Sequence, residues 1–170
     1  DAMKEMIRKG ARGLVLDLRN NGGGLLDVSV KICGMFLKGG PVVETRGRSE
    51  KANEKYSADP ALFLTSMPVV VLINGGSASA SEILAGALQD TDAGIVIGTT
   101  SYGKGSVQAV LPLLHDDGLK LTIAKYSTPN GRFIDGTGIT PDVIVKRSQE
   151  DTSDAQFDAA KAWLLAHPTL

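Results

Sequence analysis

A serine at the start of a helical pattern and an isolated lysine are the residues whose types and surroundings could do chemistry. Ser79 lies within the small-residue segment 74–82, which leads into a helical pattern of apolar residues over 83–88. Lys104 stands alone between two glycines further along the chain. A hydroxyl and an amine can serve as nucleophile and general base without any histidine. The pair therefore predicts a serine/lysine hydrolase.

Two interpretations of Ser79 follow from its local sequence. Ser79-Ala80-Ser81-Glu82 fits a capping box, which would give the serine a purely structural role. A serine at a helix start also stands beside unpaired backbone N–H groups and the positive end of the helix dipole. Those groups can stabilise the oxyanion of a tetrahedral intermediate, and the N–H of Ala80 is the nearest donor. Ser77 and Ser81 are alternative nucleophiles, although neither begins an S-x-x-E sequence.

Lys104 has three interpretations. Residues 98–104 match most of a phosphate-binding loop, but Gly105 stands where a magnesium-binding hydroxyl is required and a strand pattern follows. A solvated loop lysine is the commoner structural role. Gln108 favours catalysis, since the two-residue period of a strand would place its amide on the face of Lys104. Free lysine titrates near about pH 10.4. We therefore expect a buried amine near Ser79 and Gln108 in the active conformation, without a carboxylate partner.

The remaining ionisable residues suit structural roles better than catalytic ones. His115 falls in a polar turn and His167 near the end of the chain, so both are expected to be exposed. Asp17 and Arg19 share one face of a predicted strand, where an ion pair is expected. No group of carboxylates and histidines has the spacing of metal ligands. The sequence thus predicts neither a metal nor another cofactor.

Composition fits one α/β domain without an obvious nucleic-acid or membrane partner. The chain has 170 residues, 42% of them hydrophobic, which is enough for a substantial core. A net charge of −1 gives no reason to expect nucleic acid or an anionic membrane. No apolar run approaches the roughly 20 residues that span a bilayer. Cys33 is the only cysteine, which excludes an internal disulfide.

The elements that must position these residues are read from periodicity. Helices are predicted over 2–9, over 28–38 up to the glycine pair, over 83–88, and from a capping box of Ser153 and Gln156 onwards. Residues 46–59 are polar and are expected to form a mobile loop. Strands are predicted over 14–19, 41–45, 69–73, 94–98, 108–113, 119–126 and 142–145.

Four segments in the same order resemble the signature blocks of one family. They are VLDLRNNGGG at 15–24, GSASASEILAGALQD at 76–90, YGKGSVQ at 102–108 and TPDV at 140–143. These segments look like those of the C-terminal processing peptidases, also called tail-specific proteases. The resemblance implies an α/β, crotonase/ClpP-like core with short buried strands and flanking helices.

The same resemblance implies a role for each candidate site residue. It makes Ser79 the nucleophile, Lys104 the general base and Gln108 the residue that orients the lysine. It further implies an oxyanion hole formed by the N–H groups of Ala80 and Gly24. The neighbouring glycines 22 and 23 remain alternatives to Gly24, because a turn that needs positive φ would explain at least one of the three.

The resemblance also carries expectations about partners and context. It implies polypeptide substrates with accessible C-terminal tails, no nucleic acid, a periplasmic or periplasm-facing location, and it allows for a homo-oligomer. Family members normally carry a PDZ domain that residues 1–170 lack. The chain opens on Asp1, so we expect the catalytic core of a longer polypeptide. The alternative is a catalytically silent peptide-binding scaffold, because a fold does not dictate its chemistry.

Overall fold

A computed structural model describes residues 2–146 and 153–168 as helices packed around two four-stranded sheets. The helices are α1 (Ala2–Arg8), α2 (Leu26–Gly34), α3 (Ala80–Asp90) and α4 (Ala155–Ala166). The strands are β1 (Leu14–Asp17), β2 (Pro41–Gly47), β3 (Glu54–Ser57), β4 (Val69–Ile73), β5 (Ile95–Gly98), β6 (Ser106–Pro112), β7 (Gly118–Ser127) and β8 (Val143–Ile144). Short 3-10 turns occupy Glu50–Ala52, Pro60–Leu62 and Leu114–Asp116.

The first sheet is parallel, with strand order β1-β4-β5-β8, and it is covered on both faces. Every residue of β4 is buried. Its odd-numbered residues pack with α2 and α3, and its even-numbered residues pack with α4. Because side chains alternate along a strand, a continuous apolar run is what a strand between two helical layers requires. The predicted strand over 69–73 is confirmed.

The second sheet is antiparallel, with strand order β3-β2-β7-β6. Its β2 strand contributes Val42 and Val43, both fully buried, to the core beneath α3. The β6–β7 hairpin extends away from this core, and most of its apolar side chains are exposed. Residues 101–105 connect β5 in the first sheet to β6 in the second, so Lys104 lies between the sheets.

Three sequence predictions about elements are wrong in part. The polar stretch over 46–59 contains β3, a short edge strand paired with β2 and fastened by the bond from Glu54 N–H to the Thr45 hydroxyl at 3.0 Å. Charged side chains suit such an exposed edge. Helix α2 ends at Gly34 rather than at the glycine pair, because the chain turns where Gly34 packs closely against Asp59 and Leu62.

Helix α4 begins differently from the predicted capping box. Asp154, not Ser153, is its N-cap residue, and the Asp154 carboxylate accepts the N–H of Phe157 at 3.1 Å. Gln156 is buried and donates to the carbonyl of Val145 at 2.8 Å, so it serves the sheet rather than the cap. Across the described residues, no helix is both long enough and apolar enough to cross a bilayer.

Candidate active site

Ser79 occupies a strained turn between β4 and α3. It is the N-cap residue of α3 and has φ 58° and ψ −119°, a conformation that a non-glycine residue rarely adopts. Such strain persists only where the surroundings enforce it, and it is concentrated at functional sites. The turn leaves the Ser79 side chain partly exposed at the carboxyl end of the parallel sheet. This placement resembles the strand–turn–helix elbow that presents catalytic serines in other hydrolases.

The two alternative serines are buried by the same turn. Ser77 is fully buried, and its hydroxyl donates to the carbonyl of Leu18 at 2.7 Å while it accepts the N–H of Asn74 at 3.0 Å. Ser81 is 4% exposed on the first turn of α3. Neither hydroxyl is presented to solvent as that of Ser79 is. The geometry therefore favours Ser79 among the three.

Glu82 connects the serine to the lysine segment, a role that the sequence analysis missed. The carboxylate accepts the N–H of Ser79 at 2.8 Å, which confirms the predicted capping box. The hydroxyl of Ser79 faces the N–H of Glu82 without the geometry of a full hydrogen bond, so it stays available for chemistry. The same carboxylate accepts the N–H groups of Gly103 and Lys104 at 2.7 and 2.8 Å.

The side chain of Lys104 is exposed in this structure, so burial of its amine in the active conformation stays a prediction. The cause lies in its neighbours: Gly103 and Gly105 are buried, and a Cβ added at Gly105 would lie 2.3 Å from the backbone nitrogen of Asp135. The backbone is packed tightly, and only the lysine side chain projects outward. Among the described residues, the Lys104 amine makes no hydrogen bond and no ion pair.

Gln108 is also exposed, and its placement differs from the predicted one. Strand β6 begins only at Ser106, and a bulge between Val107 and Gln108 interrupts the pairing with β7. A bulge breaks the two-residue alternation of side chains. The argument that Lys104 and Gln108 share a strand face by simple alternation is therefore wrong, and the orienting role of Gln108 stays a prediction.

The glycine turn after β1 packs against the Ser79 turn. Gly23 has φ +98°, and a Cβ there would lie 2.6 Å from the carbonyl oxygen of Ala78 and 2.9 Å from both the Ser79 Cβ and the Ala80 nitrogen. Glycine is needed at this position for both conformation and close approach. The N–H of Ala78 in the serine turn donates to the carbonyl of Asn21 in the glycine turn at 3.0 Å, and this bond connects the two turns.

The backbone donors near Ser79 differ in their availability. The N–H of Gly23 donates to the side chain of Asn21 at 2.9 Å. In the described part of the chain, the N–H groups of Gly24 and Ala80 make no hydrogen bond. Gly24 and Ala80 also line the same cavity, whereas Gly22 does not. Among the three glycines, Gly24 is thus the best-placed candidate donor.

That cavity is a small apolar pocket beside Ser79. Its volume is about 190 Å³. Leu25 and Val28 are exposed at 70% and 43%, which places them at its rim. Among the described residues, no charged side chain lines it; polar lining comes from Asn21, Ser29 and Ser81, and the apolar side chains are those of Leu18, Leu25, Val28, Ile32, Ala80 and Leu84.

The predicted ion pair of Asp17 and Arg19 is confirmed and is part of a larger cluster. The Arg19 guanidinium donates to Asp17 at 2.6 and 2.9 Å, and to Asp154 at the start of α4 at 2.7 and 2.8 Å. The hydrogen bonds from Arg19 lower the pKa of Asp17, and the two carboxylates raise the pKa of Arg19. A polar crevice of about 550 Å³ lies beside this cluster, on the α4 side of the sheet.

Both histidines are exposed, as the sequence predicts. His115 lies in the turn between β6 and β7, and His167 stacks on Trp163 at the end of α4 with ring centroids 4.2 Å apart. Neither is positioned beside Ser79 by any hydrogen bond of the described residues.

Comparison with known proteins defines the family. Residues 1–145 match the model of peptidase family S41. The chain belongs to this family. It is 51% identical over 136 residues to a carboxy-terminal-processing protease of Bartonella bacilliformis, a match that covers 80% of this chain and 31% of the relative.

Two further matches agree with this assignment. A chloroplastic C-terminal processing peptidase of Tetradesmus obliquus is 43% identical over 142 residues, covering 84% of this chain and 30% of the relative. The solved structure of a photosystem II D1 C-terminal processing protease superposes with a TM-score of 0.78 at 41% identity, covering 85% of this chain and 37% of that one. The chain spans about a third of the length of these relatives.

Proposed function

We propose that the chain is the catalytic core of a serine endopeptidase that cleaves proteins at or near their C-termini. One observation carries the proposal: a partly exposed serine in a strained turn shares a single carboxylate with the backbone of a lysine that has no acidic partner in the described residues. Membership of peptidase family S41 and relatives named as C-terminal processing proteases support the reaction class.

The proposed reaction uses the side chains of Ser79 and Lys104. The Ser79 oxygen attacks the carbonyl carbon of the scissile peptide bond, and its proton passes to the neutral Lys104 amine. The N–H groups of Ala80 and Gly24 stabilise the oxyanion. As the tetrahedral intermediate collapses, the C–N bond breaks and the lysine ammonium returns the proton to the leaving amine. Water then attacks the acyl-serine ester as Lys104 accepts its proton, the bond between the acyl carbon and the Ser79 oxygen breaks, and the lysine ammonium returns the proton to that oxygen. Gln108 orients the lysine.

Because the Lys104 side chain is exposed, the proposed reaction requires the bound substrate to cover the amine. The lysine must be neutral to act as a base, and water stabilises its charged form. Tyr102, which is 69% exposed, stands beside it on the open surface. We assign the burial of the amine to the substrate complex, in which a polypeptide lying over Tyr102 and Lys104 excludes water from the site.

The apolar pocket defines the side chain that the site accepts. It opens beside Ala80 and Gly24, the two proposed oxyanion donors. A substrate carbonyl held by these donors brings the side chain on its acyl side to the pocket mouth. A cavity of about 190 Å³ without charged lining suits small and medium apolar side chains and rejects charged ones, because burying an unpaired charge is costly.

Labelling of Ser79 tests the proposal directly. A fluorophosphonate reagent is expected to modify the wild-type protein at Ser79, and Ser79→Ala is expected to abolish both labelling and peptide cleavage while the fold persists. Because the Ser79 hydroxyl makes no full hydrogen bond to the N–H of Glu82, its loss should cost no more than about 0.5–2 kcal/mol of stability. Ser77→Ala and Ser81→Ala serve as controls. A protein that binds peptides without labelling or cleavage would instead be a catalytically silent scaffold.

The wider expectations belong to the same proposal. We assign the two-sheet core to the crotonase/ClpP-like α/β class and residues 1–170 to the catalytic core of a longer protein. We further propose a periplasmic or periplasm-facing location, polypeptide substrates with accessible C-terminal tails, and no nucleic-acid partner. Fractionation of the producing cells tests the location, and sedimentation of the complete protein tests for a homo-oligomer.

A further inference from the structure

Glu82 is a fully buried carboxylate without a cationic partner in the described residues. Its first oxygen accepts the hydroxyl of Ser101 at 2.5 Å and the N–H of Gly103 at 2.7 Å. Its second accepts the N–H groups of Ser79 and Lys104, both at 2.8 Å. Four donors and no acceptor face the group. Burying such a polar group is costly unless it is fully hydrogen-bonded, so these four bonds offset the cost of its burial.

A helix cap accounts for only one of the four bonds. The capping box needs the bond from Ser79 N–H to Glu82 and nothing more. The other three donors belong to residues 101–104, which follow a different strand and end at the proposed base. One oxygen atom accepts from both Ser79 and Lys104, so these two backbone nitrogens lie no more than twice 2.8 Å apart.

We propose that Glu82 is a positioning residue that sets the distance between nucleophile and base, a role that rests on the proposed peptidase function. It touches neither substrate nor the reacting atoms and acts through the backbones of Ser79 and Lys104. We call the Glu82 carboxylate together with its four donors the clamp. Its Ser101 hydroxyl also accepts the N–H of Ile139 at 2.7 Å, which connects the carboxylate to the chain beyond β7. A misplacement of about 1 Å between reacting groups can cost about 10²-fold in rate.

Glu82→Gln tests the clamp in the complete natural protein. The amide oxygen still accepts two bonds, but the amide nitrogen meets two N–H or O–H donors and cannot accept from them. The matched control is Asp142→Asn, since Asp142 also accepts two bonds, from Val96 N–H at 2.7 Å and from the Gln89 amide at 2.8 Å. Those bonds lie at the far end of α3, about 15 Å from Ser79 at 1.5 Å rise per residue.

The readout is the division of the effect between kcat and KM on a fluorogenic peptide with an apolar residue on the acyl side of the scissile bond. At a temperature where both variants are folded, Glu82→Gln is expected to lower kcat about 10²-fold with KM changed less than about threefold. Asp142→Asn is expected to keep kcat within about threefold. Equal losses of kcat in the two variants would show that Glu82 is structural only.

Two further measurements decide the case if Glu82→Gln does not fold or the wild type cleaves no peptide. Ser101→Ala removes one donor to Glu82 and also the acceptor of the Ile139 N–H, and it is expected to lower kcat about tenfold while the fold persists; unchanged kcat contradicts the clamp. Amide hydrogen exchange in Ser101→Ala is expected to rise together at Ser79, Gly103 and Lys104. Unchanged exchange there overturns the clamp, whereas an inactive wild type with coupled exchange overturns only the peptidase function.

Discussion

At the scale of single residues, the glycine turn contains one position where the backbone packs too closely against the serine turn to accept a side chain. Gly23 lies against the turn that carries Ser79, and a side chain there would meet backbone atoms that cannot move aside cheaply. Gly22 is next to it, yet a Cβ at that position would meet nothing within 4 Å. Both positions hold glycine, but they differ in backbone φ and in their surroundings.

Gly23→Ala is therefore expected to lower both stability and activity. The positive φ and the close contacts with Ala78 and Ala80 together should cost about 2–4 kcal/mol of unfolding free energy. Urea unfolding and peptide cleavage measure the two effects. Gly22→Ala serves as control and should change stability by less than about 1 kcal/mol. Equal stability of the two variants would contradict the tight packing of the glycine turn on the serine turn.

At this scale the sequence indicated Ser79 as a candidate nucleophile, but it did not indicate that the Glu82 carboxylate would bind residues 101–104. The S-x-x-E pattern and the small residues around Ser79 signal a helix entry, which is local information. Three of the four bonds of Glu82 depend on residues 101–104 meeting the start of α3, which no local pattern encodes. A signal existed in part: an acidic residue inside an otherwise apolar helix needs partners, and the capping box explained only one.

At the scale of elements, the Arg19 cluster joins the end of β1 to the start of α4. The guanidinium is largely buried, whereas Asp17 is about half exposed, at 45%. The glycine turn follows this cluster directly, so the pair anchors one side of the proposed oxyanion hole. The ion pair was predictable from strand alternation, but the contribution of Asp154 was not, because it comes from the far end of the chain.

The Asp17–Arg19 pair predicts a specific dependence of stability on pH. Because the pKa of Asp17 is lowered in the folded protein, its ionised form stabilises the fold. That contribution is fully present above the ordinary aspartate range near about pH 3.9 and is lost as the pH falls through the lowered pKa. Urea unfolding of wild type and Asp17→Asn should therefore show a difference in free energy that is constant near neutral pH and shrinks on acidification. A difference that grows on acidification would contradict the pair.

Helix α2 supplies a wall of the apolar pocket, and this gives a test of specificity. Ile32 lines the pocket, and Ile32→Ala is expected to favour a peptide with Phe over one with Val on the acyl side of the scissile bond by about tenfold in relative kcat/KM. Val30 on the same helix packs on the core as Ile32 does but does not line the pocket, so Val30→Ala is the matched control. A preference for Asp or Lys in wild type, or equal shifts in both variants, would remove the pocket from substrate recognition.

At the scale of the whole molecule, two sheets share one core beneath α3. The parallel sheet was predictable because β4 is a continuous apolar run flanked by turns, and this pattern is specific for a strand covered on both faces. The antiparallel sheet was less predictable from the sequence. Strand β3 is polar and forms by pairing with β2, so its own composition does not indicate a strand. The bulge in β6 was also beyond the sequence, because register depends on the partner strand.

The β6–β7 hairpin divides the proposed catalytic machinery between regions of unequal local stability. The backbone at 103–105 is locked into the core, whereas Gln108 lies beyond the bulge on an arm whose Leu119, Leu121 and Ile123 each remain more than 40% exposed. Two strands with little buried apolar surface are marginally stable by themselves, and such segments open at a free energy below that of global unfolding. Fraying of the arm would therefore displace Gln108, the proposed orienting residue, while Ser79 and the backbone of Lys104 stay in register, so the proposed site could lose this residue without the protein unfolding.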